Sequence, residues 1–362
     1  MKTKEIMTTK RKTAIEPFPN CPALDGYHCQ TNSLAKIYHH HGRPLSEEML
    51  LGLGAGLGFM YWRMKGNPAA GMPDSVFIGG RGNTKDFFAD VGRRTGVSIS
   101  VATTASARKA EEAFLAKLAR REPAMLFGDM GFLPWFELPA EYHFGGHTFT
   151  VCGYDGDKTA LASDMDPKAA GLKKGFYAQI TLDRLRLARG SKHKPFPPRH
   201  AALDFSFSRY RAPGKKEIGE AVRQTARAML EPPIKNFGVK GIRHTARELP
   251  KWPEYFAERD LRLNLFQIYI YVEIGGTGGG SFRPMYARFL REAAGIAGDR
   301  RLQNAARSFE ASGRLFTEIA LLFKEADKVR DLPERLERAA ANYERIAELE
   351  EQAFRELEKI GG

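Results

Sequence analysis

The apolar pattern changes period close to residue 190, and that change limits the architecture more than any other feature. Before it, short apolar runs of strand length recur between turn signals; from Lys216 onward the chain reads as mainly helical. Ala124-Met125-Leu126-Phe127-Gly128 predicts a buried strand. His147-Thr148-Phe149-Thr150-Val151-Cys152-Gly153-Tyr154, a turn at Asp155-Gly156-Asp157-Lys158, and Thr159-Ala160-Leu161-Ala162-Ser163-Asp164 predict an antiparallel hairpin. Short strands are also expected at 76–78, 97–101 and 176–180. An amphipathic helix is expected over 105–120, with Phe114, Leu115 and Leu118 inward. Leu336, Ala339, Tyr343, Ile346, Leu349 and Phe354 form a helical stripe within 332–360, which helix packing explains. Residues 189–213 are rich in Lys, His, Pro and Arg and read as an exposed linker. The expected organisation is an α+β domain over 1–190, a linker over 191–213 and a mainly α-helical domain over 214–362, with no internal repeat.

A chain of 362 residues, 43% of them hydrophobic, can fill more than one core. Residues 1–15 are polar and basic without the apolar stretch of a signal or anchor, and no transmembrane span is found. Cys21, Cys29 and Cys152 are an odd count without paired spacing, which suits neither a disulfide framework nor a zinc knuckle. A soluble protein of a reducing, cytoplasmic compartment is expected, not bound to a membrane. The formal net charge of +13 attracts anionic partners of several kinds. No zinc finger, RNP signature or lysine block accompanies it, so nucleic acid is not the expected partner and a solvated basic surface is the simpler reading.

A cysteine becomes a good nucleophile where a helix N-terminus and an imidazolium stabilise its thiolate. Cys29 has the first of these in prospect, because Leu24-Asp25-Gly26-Tyr27-His28 reads as a loop turning into an amphipathic helix that carries Leu34, Ile37 and Tyr38 on one face. A small buried cysteine is the ordinary alternative. Further along, Gly145-Gly146-His147 opens a strand whose hairpin partner carries Asp164 and Asp166 on one face. Either carboxylate would orient His147, which completes a Cys-His-acid set; a structural histidine with two turn acids near Pro167 is the alternative.

His28-Cys29-Gln30-Thr31-Asn32-Ser33-Leu34, followed by Leu45-Ser46-Glu47-Glu48-Met49-Leu50 and Gly52-Leu53-Gly54-Ala55-Gly56-Leu57-Gly58-Phe59, resembles the N-terminal domain of the butirosin biosynthesis protein H (BtrH) family. The resemblance runs on through Gly146-His147 and Gly153-Tyr154-Asp155 to Asp164. The helical half, with Glu273-Ile274-Gly275-Gly276-Thr277-Gly278-Gly279-Gly280, resembles the uncharacterised domain that usually follows. It implies a papain-like cysteine-peptidase fold and transfer of an acyl group from an acyl carrier protein or pantetheine thioester to a small-molecule amine in specialised metabolism. Cys29, His147 and Asp164 match the triad positions, with Asp166 as the alternative acid; no cofactor or metal is implied. The papain-like pattern also expects a glutamine where Ala23 stands, so the Cys29 N–H with Gln30 or Asn32 is the expected oxyanion donor set. A cysteine hydrolase (peptidase, amidase or thioesterase) with the same triad is the second reading, and a non-catalytic carrier-binding protein the third.

Three other features have a functional and a plain reading. The run at 275–280, Gly278 within it, followed by Arg283, suits a bound phosphate or carboxylate or else a tight turn between helices. Glu273 either approaches an amine substrate or makes structural hydrogen bonds. His39-His40-His41 reads as a cationic helix C-terminus, since consecutive helical residues point apart and do not make a metal site. The glycine-apolar alternation over 52–61 is too permissive for a long helix, and without a preceding strand it is not a dinucleotide loop.

Overall fold

A computed structural model describes residues 14–66 and 74–360. Nearly all of the polar start at 1–15 lies outside the described residues. The strands are β1 (Leu57–Met64), β2 (Ser75–Arg81), β3 (Ser98–Ala102), β4 (Ala124–Gly128), β5 (His147–Tyr154), β6 (Thr159–Met165), β7 (Gly175–Thr181) and β8 (Ala202–Ser206). Helices in the first half are α1 (Cys29–His40), α2 (Glu47–Leu53), α3 (Phe87–Thr95), α4 (Ala107–Ala119) and α5 (Leu182–Gly190). The second half contributes α6 (Lys215–Leu230), α7 (Gly238–Glu248), α8 (Trp252–Tyr255), α9 (Glu258–Tyr269), α10 (Arg283–Ala297), α11 (Arg300–Leu322) and α12 (Leu332–Glu358). The fold is α+β.

Six strands make an antiparallel sheet in the order β3-β8-β4-β5-β6-β7. The expected hairpin is β5–β6, with Thr150 opposite Ser163 and Tyr154 opposite Ala160. Asp155 closes its turn by accepting the backbone N–H groups of Asp157, Lys158 and Thr159 at 2.9–3.0 Å. One sheet face packs Phe149, Val151 and Ala162 against Phe114 and Leu118 of α4 and Leu185 of α5. The other packs Met125 and Leu203 against Leu34, Ile37 and Tyr38 of α1 and Val91 of α3. Alternate residues of each strand serve opposite faces, so α1 is held flat against the strands that carry His147 and Asp164.

One segment differs from expectation, and another is as expected. Residues 191–213 are not simply a linker: β8 lies within them, pairs with β3 from Ala202 to Ser206 and buries Leu203 completely. Its five-residue alternation is hidden in sequence by the Lys- and Pro-rich loop before it. Residues 52–61 end α2 and begin β1. Gly58 is required there, since a Cβ would stand 2.4 Å from the Gly82 nitrogen where β1 and β2 come together.

The third core belongs to the helical half but draws in α2, β1 and β2. Trp252 donates its indole N–H to the Tyr61 hydroxyl at 3.2 Å, and Arg283 donates to the Gly58 carbonyl at 2.9 Å. Apolar packing therefore crosses the change of period at residue 190. The α12 stripe is buried at Leu336, Ala339, Tyr343, Ile346 and Phe354; Leu349 is only half-buried, while Glu350 beside it is enclosed by its ion pair with Arg283.

Candidate active site

Cys29 is the first residue of α1, and His28 before it is extended, so the thiol stands at the positive end of a twelve-residue helix on a sharp change of backbone direction. Glu47, from the first turn of α2, fixes that corner. Its buried carboxylate accepts the N–H groups of Tyr27 (3.1 Å) and His28 (3.2 Å), the Thr31 hydroxyl (2.7 Å) and the Asn32 amide (3.0 Å). Gly26 makes room for it: a Cβ would lie 1.8 Å from the Glu47 Oε1. The Cys29 N–H, among the first of the helix, has no intrahelical acceptor.

His147 opens β5 and Asp164 lies near the end of β6, so the hairpin register brings them together. Asp164 Oδ2 meets His147 Nε2 at 2.8 Å and also accepts the Trp135 indole N–H at 2.9 Å. Nε2 is thereby committed, which leaves Nδ1 to face Cys29. Phe136 stands edge-on to the imidazole, 5.0 Å between ring centres, and screens it from water. Burial opposes charge on His147, but the Asp164 carboxylate and the Cys29 sulfur more than reverse this and push its pKa up to about 10. Burial likewise pushes the Cys29 thiol up, while its hydrogen bond and charge interaction with His147, helped by Thr148, bring it below an ordinary cysteine. Asp164 is held below the usual carboxylate range against its own burial by His147, the buried Lys36 and the Met165 N–H. The lowered thiol and raised imidazole favour a thiolate–imidazolium pair, the state in which sulfur attacks a carbonyl carbon.

Of the two candidate acids only Asp164 touches His147. Asp166, one residue past β6, accepts the Lys168 N–H at 2.9 Å instead. Gln30 remains beside the site, its Oε1 3.4 Å from Arg81 Nη2. Asn32 does not serve as an oxyanion donor: its amide N–H groups go to the Leu24 and Asp25 carbonyls and to Glu47, and its free Oδ1 can only accept. Arg283 is not an anion-binding group either, because Glu350 engages it through two bonds at 2.8 and 2.9 Å with both side chains fully buried. Glu273 makes structural bonds, accepting the Gly280 N–H (3.0 Å) and the Thr317 hydroxyl (2.7 Å). Gly278 does reach the site: its loop packs on Tyr27, and the Gly276 carbonyl meets His28. His39 and His40 fasten the chain start through the Asn20 and Pro19 carbonyls. Among the described residues no group of three or more His, Cys, Asp or Glu side chains is arranged to hold a metal ion.

Residues 28–165 match the family model described as "Butirosin biosynthesis protein H, N-terminal". The chain carries a BtrH N-terminal domain. Residues 183–357 match a second model, "Domain of unknown function (DUF4872)". No curated protein matches the chain. The BtrH region contains Cys29, His147 and Asp164, together with four residues that sequence reasoning passed over. In sequence Glu47 has the place of an ordinary acid in a helix's first turn, and Lys36 and Trp135 carry no local signal. Arg81 did give one: an arginine set in Gly79-Gly80-Arg81-Gly82 at a strand end has little there to pair with.

Proposed function

We propose that this protein is a papain-like cysteine acyltransferase that moves an acyl group from a carrier-protein or pantetheine thioester to a small-molecule amine. The observation that carries this reading is the helix-borne Cys29 thiol, lowered against an imidazole that Asp164 keeps charged. The order of helix cysteine, strand histidine and strand carboxylate is that of a papain-like site. The match to a family named for a biosynthetic protein favours transfer in specialised metabolism over digestion of proteins.

Cys29 thiolate adds to the thioester carbonyl, and the intermediate collapses by expelling pantetheine thiolate, which takes its proton from His147. The amine then attacks the acyl-enzyme, giving its proton to His147 as Cys29 leaves. Exchange of one thioester for another is nearly isoenergetic, so a thiol nucleophile suits this donor. The glycine loop against Tyr27 and His28 would make the helical half one wall of the acceptor pocket. The positive net charge would favour an acidic carrier protein, and a cytoplasmic setting fits a reactive thiol. No helix of the described residues is long and apolar enough to cross a membrane.

Intact-protein mass spectrometry of wild type and Cys29→Ala, mixed with a panel of acyl-pantetheine thioesters, tests the reading. It expects an adduct on wild type alone that amines discharge faster than water does. Rapid discharge by water assigns a hydrolase, and absence of any Cys29-dependent adduct assigns a binding protein.

A further inference from the structure

Arg81 ends β2 with its guanidinium packed over the Phe87 ring at 4.3 Å and near the Phe282 ring at 5.7 Å. Among the described residues its Nε and Nη1 are cut off from solvent and have no acceptor, and Nη2 reaches only Gln30 Oε1, at a long 3.4 Å. Arg283, the other arginine next to this loop, is by contrast fully matched by Glu350. Among the described residues Arg81 has no carboxylate partner; the negative group that acts on it is the Cys29 sulfur. Near it stands His28, kept neutral by burial and by the Arg81 charge, with Nδ1 committed to Gly276 and Nε2 without a hydrogen-bond partner among the described residues. Buried N–H groups without acceptors are costly, and a desolvated cation without an anion more so. Two such N–H vectors beside a nucleophile are explained by an acceptor that arrives with the substrate.

We propose that Arg81 is the anion-recognition residue of the Cys29 site, receiving an oxygen anion next to the thiolate. Two sources supply that chemistry. One is a carboxylate or phosphate on the substrate. The other is the oxygen of the attacked carbonyl: as sulfur adds to carbon, the C=O π pair moves onto oxygen, and collapse returns it and expels the thiolate leaving group. The second source would fill the donor position that Ala23 and Asn32 leave open. It rests on the acyl-transfer reading; the first does not.

The test uses the full chain as wild type, Arg81→Met and Arg81→Lys. Iodoacetate and iodoacetamide alkylate the same sulfur by the same displacement and differ by one negative charge. Wild type should favour iodoacetate over iodoacetamide more than a free thiol does. Arg81→Met should lower that ratio about tenfold, with Arg81→Lys in between, as expected for losing a poorly solvated opposite charge. A ratio unchanged in Arg81→Met overturns the proposal, even if both reagents slow together, since that marks an effect on the thiolate alone. Wild type gives an independent reading: inorganic phosphate should protect Cys29 from iodoacetate beyond the effect of chloride at equal ionic strength, and lack of protection counts against the site. Acylation by thioesters with neutral and with carboxylate-bearing acyl groups separates the sources. Equal slowing of both by Arg81→Met, about 100-fold, assigns the carbonyl oxygen, and slowing of the charged donor alone assigns the substrate anion. A wild type that no thioester acylates removes the acyl-transfer reading and leaves the alkylation ratio to judge Arg81.

Discussion

His28 donates its Nδ1–H to the Gly276 carbonyl at 2.9 Å, which ties the residue before Cys29 to a loop of the helical half. A carbonyl can only accept, so this contact fixes the tautomer of neutral His28 and leaves Nε2 as a buried lone pair. Gly278 supports the same junction: at φ +73°, a Cβ there would stand 3.1 Å from the Tyr27 ring and 3.0 Å from Met285. Gly278→Val should push Tyr27 and the start of α1 out of place and slow Cys29 acylation by about 10- to 100-fold. Stopped-flow acylation beside thermal melting checks this, and an unchanged rate in a stable variant would show that the loop does not position the thiol.

The Cys29–His147 pair carries a pH signature. The thiol lies below an ordinary cysteine and His147 is pushed up to about 10, so the pair favours thiolate with imidazolium at a pH below that of ordinary thiol ionisation. Iodoacetamide alkylation should rise at lower pH than that of a free cysteine. In His147→Ala its hydrogen bond and charge are gone while burial, Thr148 and Arg81 remain, so the same rise should move to higher pH than in wild type. A profile that does not move would mean that His147 does not stabilise the thiolate.

Asp164→Asn should lower the His147 pKa and reduce acyl transfer by roughly 10²- to 10⁴-fold, the range for losing the group that orients a catalytic imidazole. Asp166→Asn, which removes a carboxylate bonded to the Lys168 N–H, should leave the rate within about twofold, as for surface changes generally. Turnover of both variants with one thioester and one amine decides which acid serves; the reverse ranking would contradict the observed contact.

Glu350→Ala should destabilise the protein by about 3–5 kcal/mol, because it leaves the Arg283 guanidinium charged and unpaired in the core of the helical half. Urea unfolding measures this. Glu350 and Arg283 are both fully buried and bond to each other away from the thiol's hydrogen-bond partners, so the alkylation rate of the folded variant should be little changed.

Period alone determined the hairpin that carries His147 and Asp164, the amphipathic helix behind Cys29 and the helical character of the second half. These depend on which face of a local element is apolar, and neighbouring residues in the chain record that. The candidate triad was legible for the same reason: one helix start and one hairpin register are short-range facts. Tertiary structure alone decided the rest. It placed Asp164 rather than Asp166 on His147, turned Asn32 to its own loop and Arg283 to Glu350, and moved β8 into the sheet. It also brought Arg81 beside Cys29 without a carboxylate partner among the described residues. A polar side chain near a site has several partners within reach, and burial selects among them by which desolvated groups are left unmatched; that balance depends on residues well separated along the chain, and no local pattern in the sequence contains it.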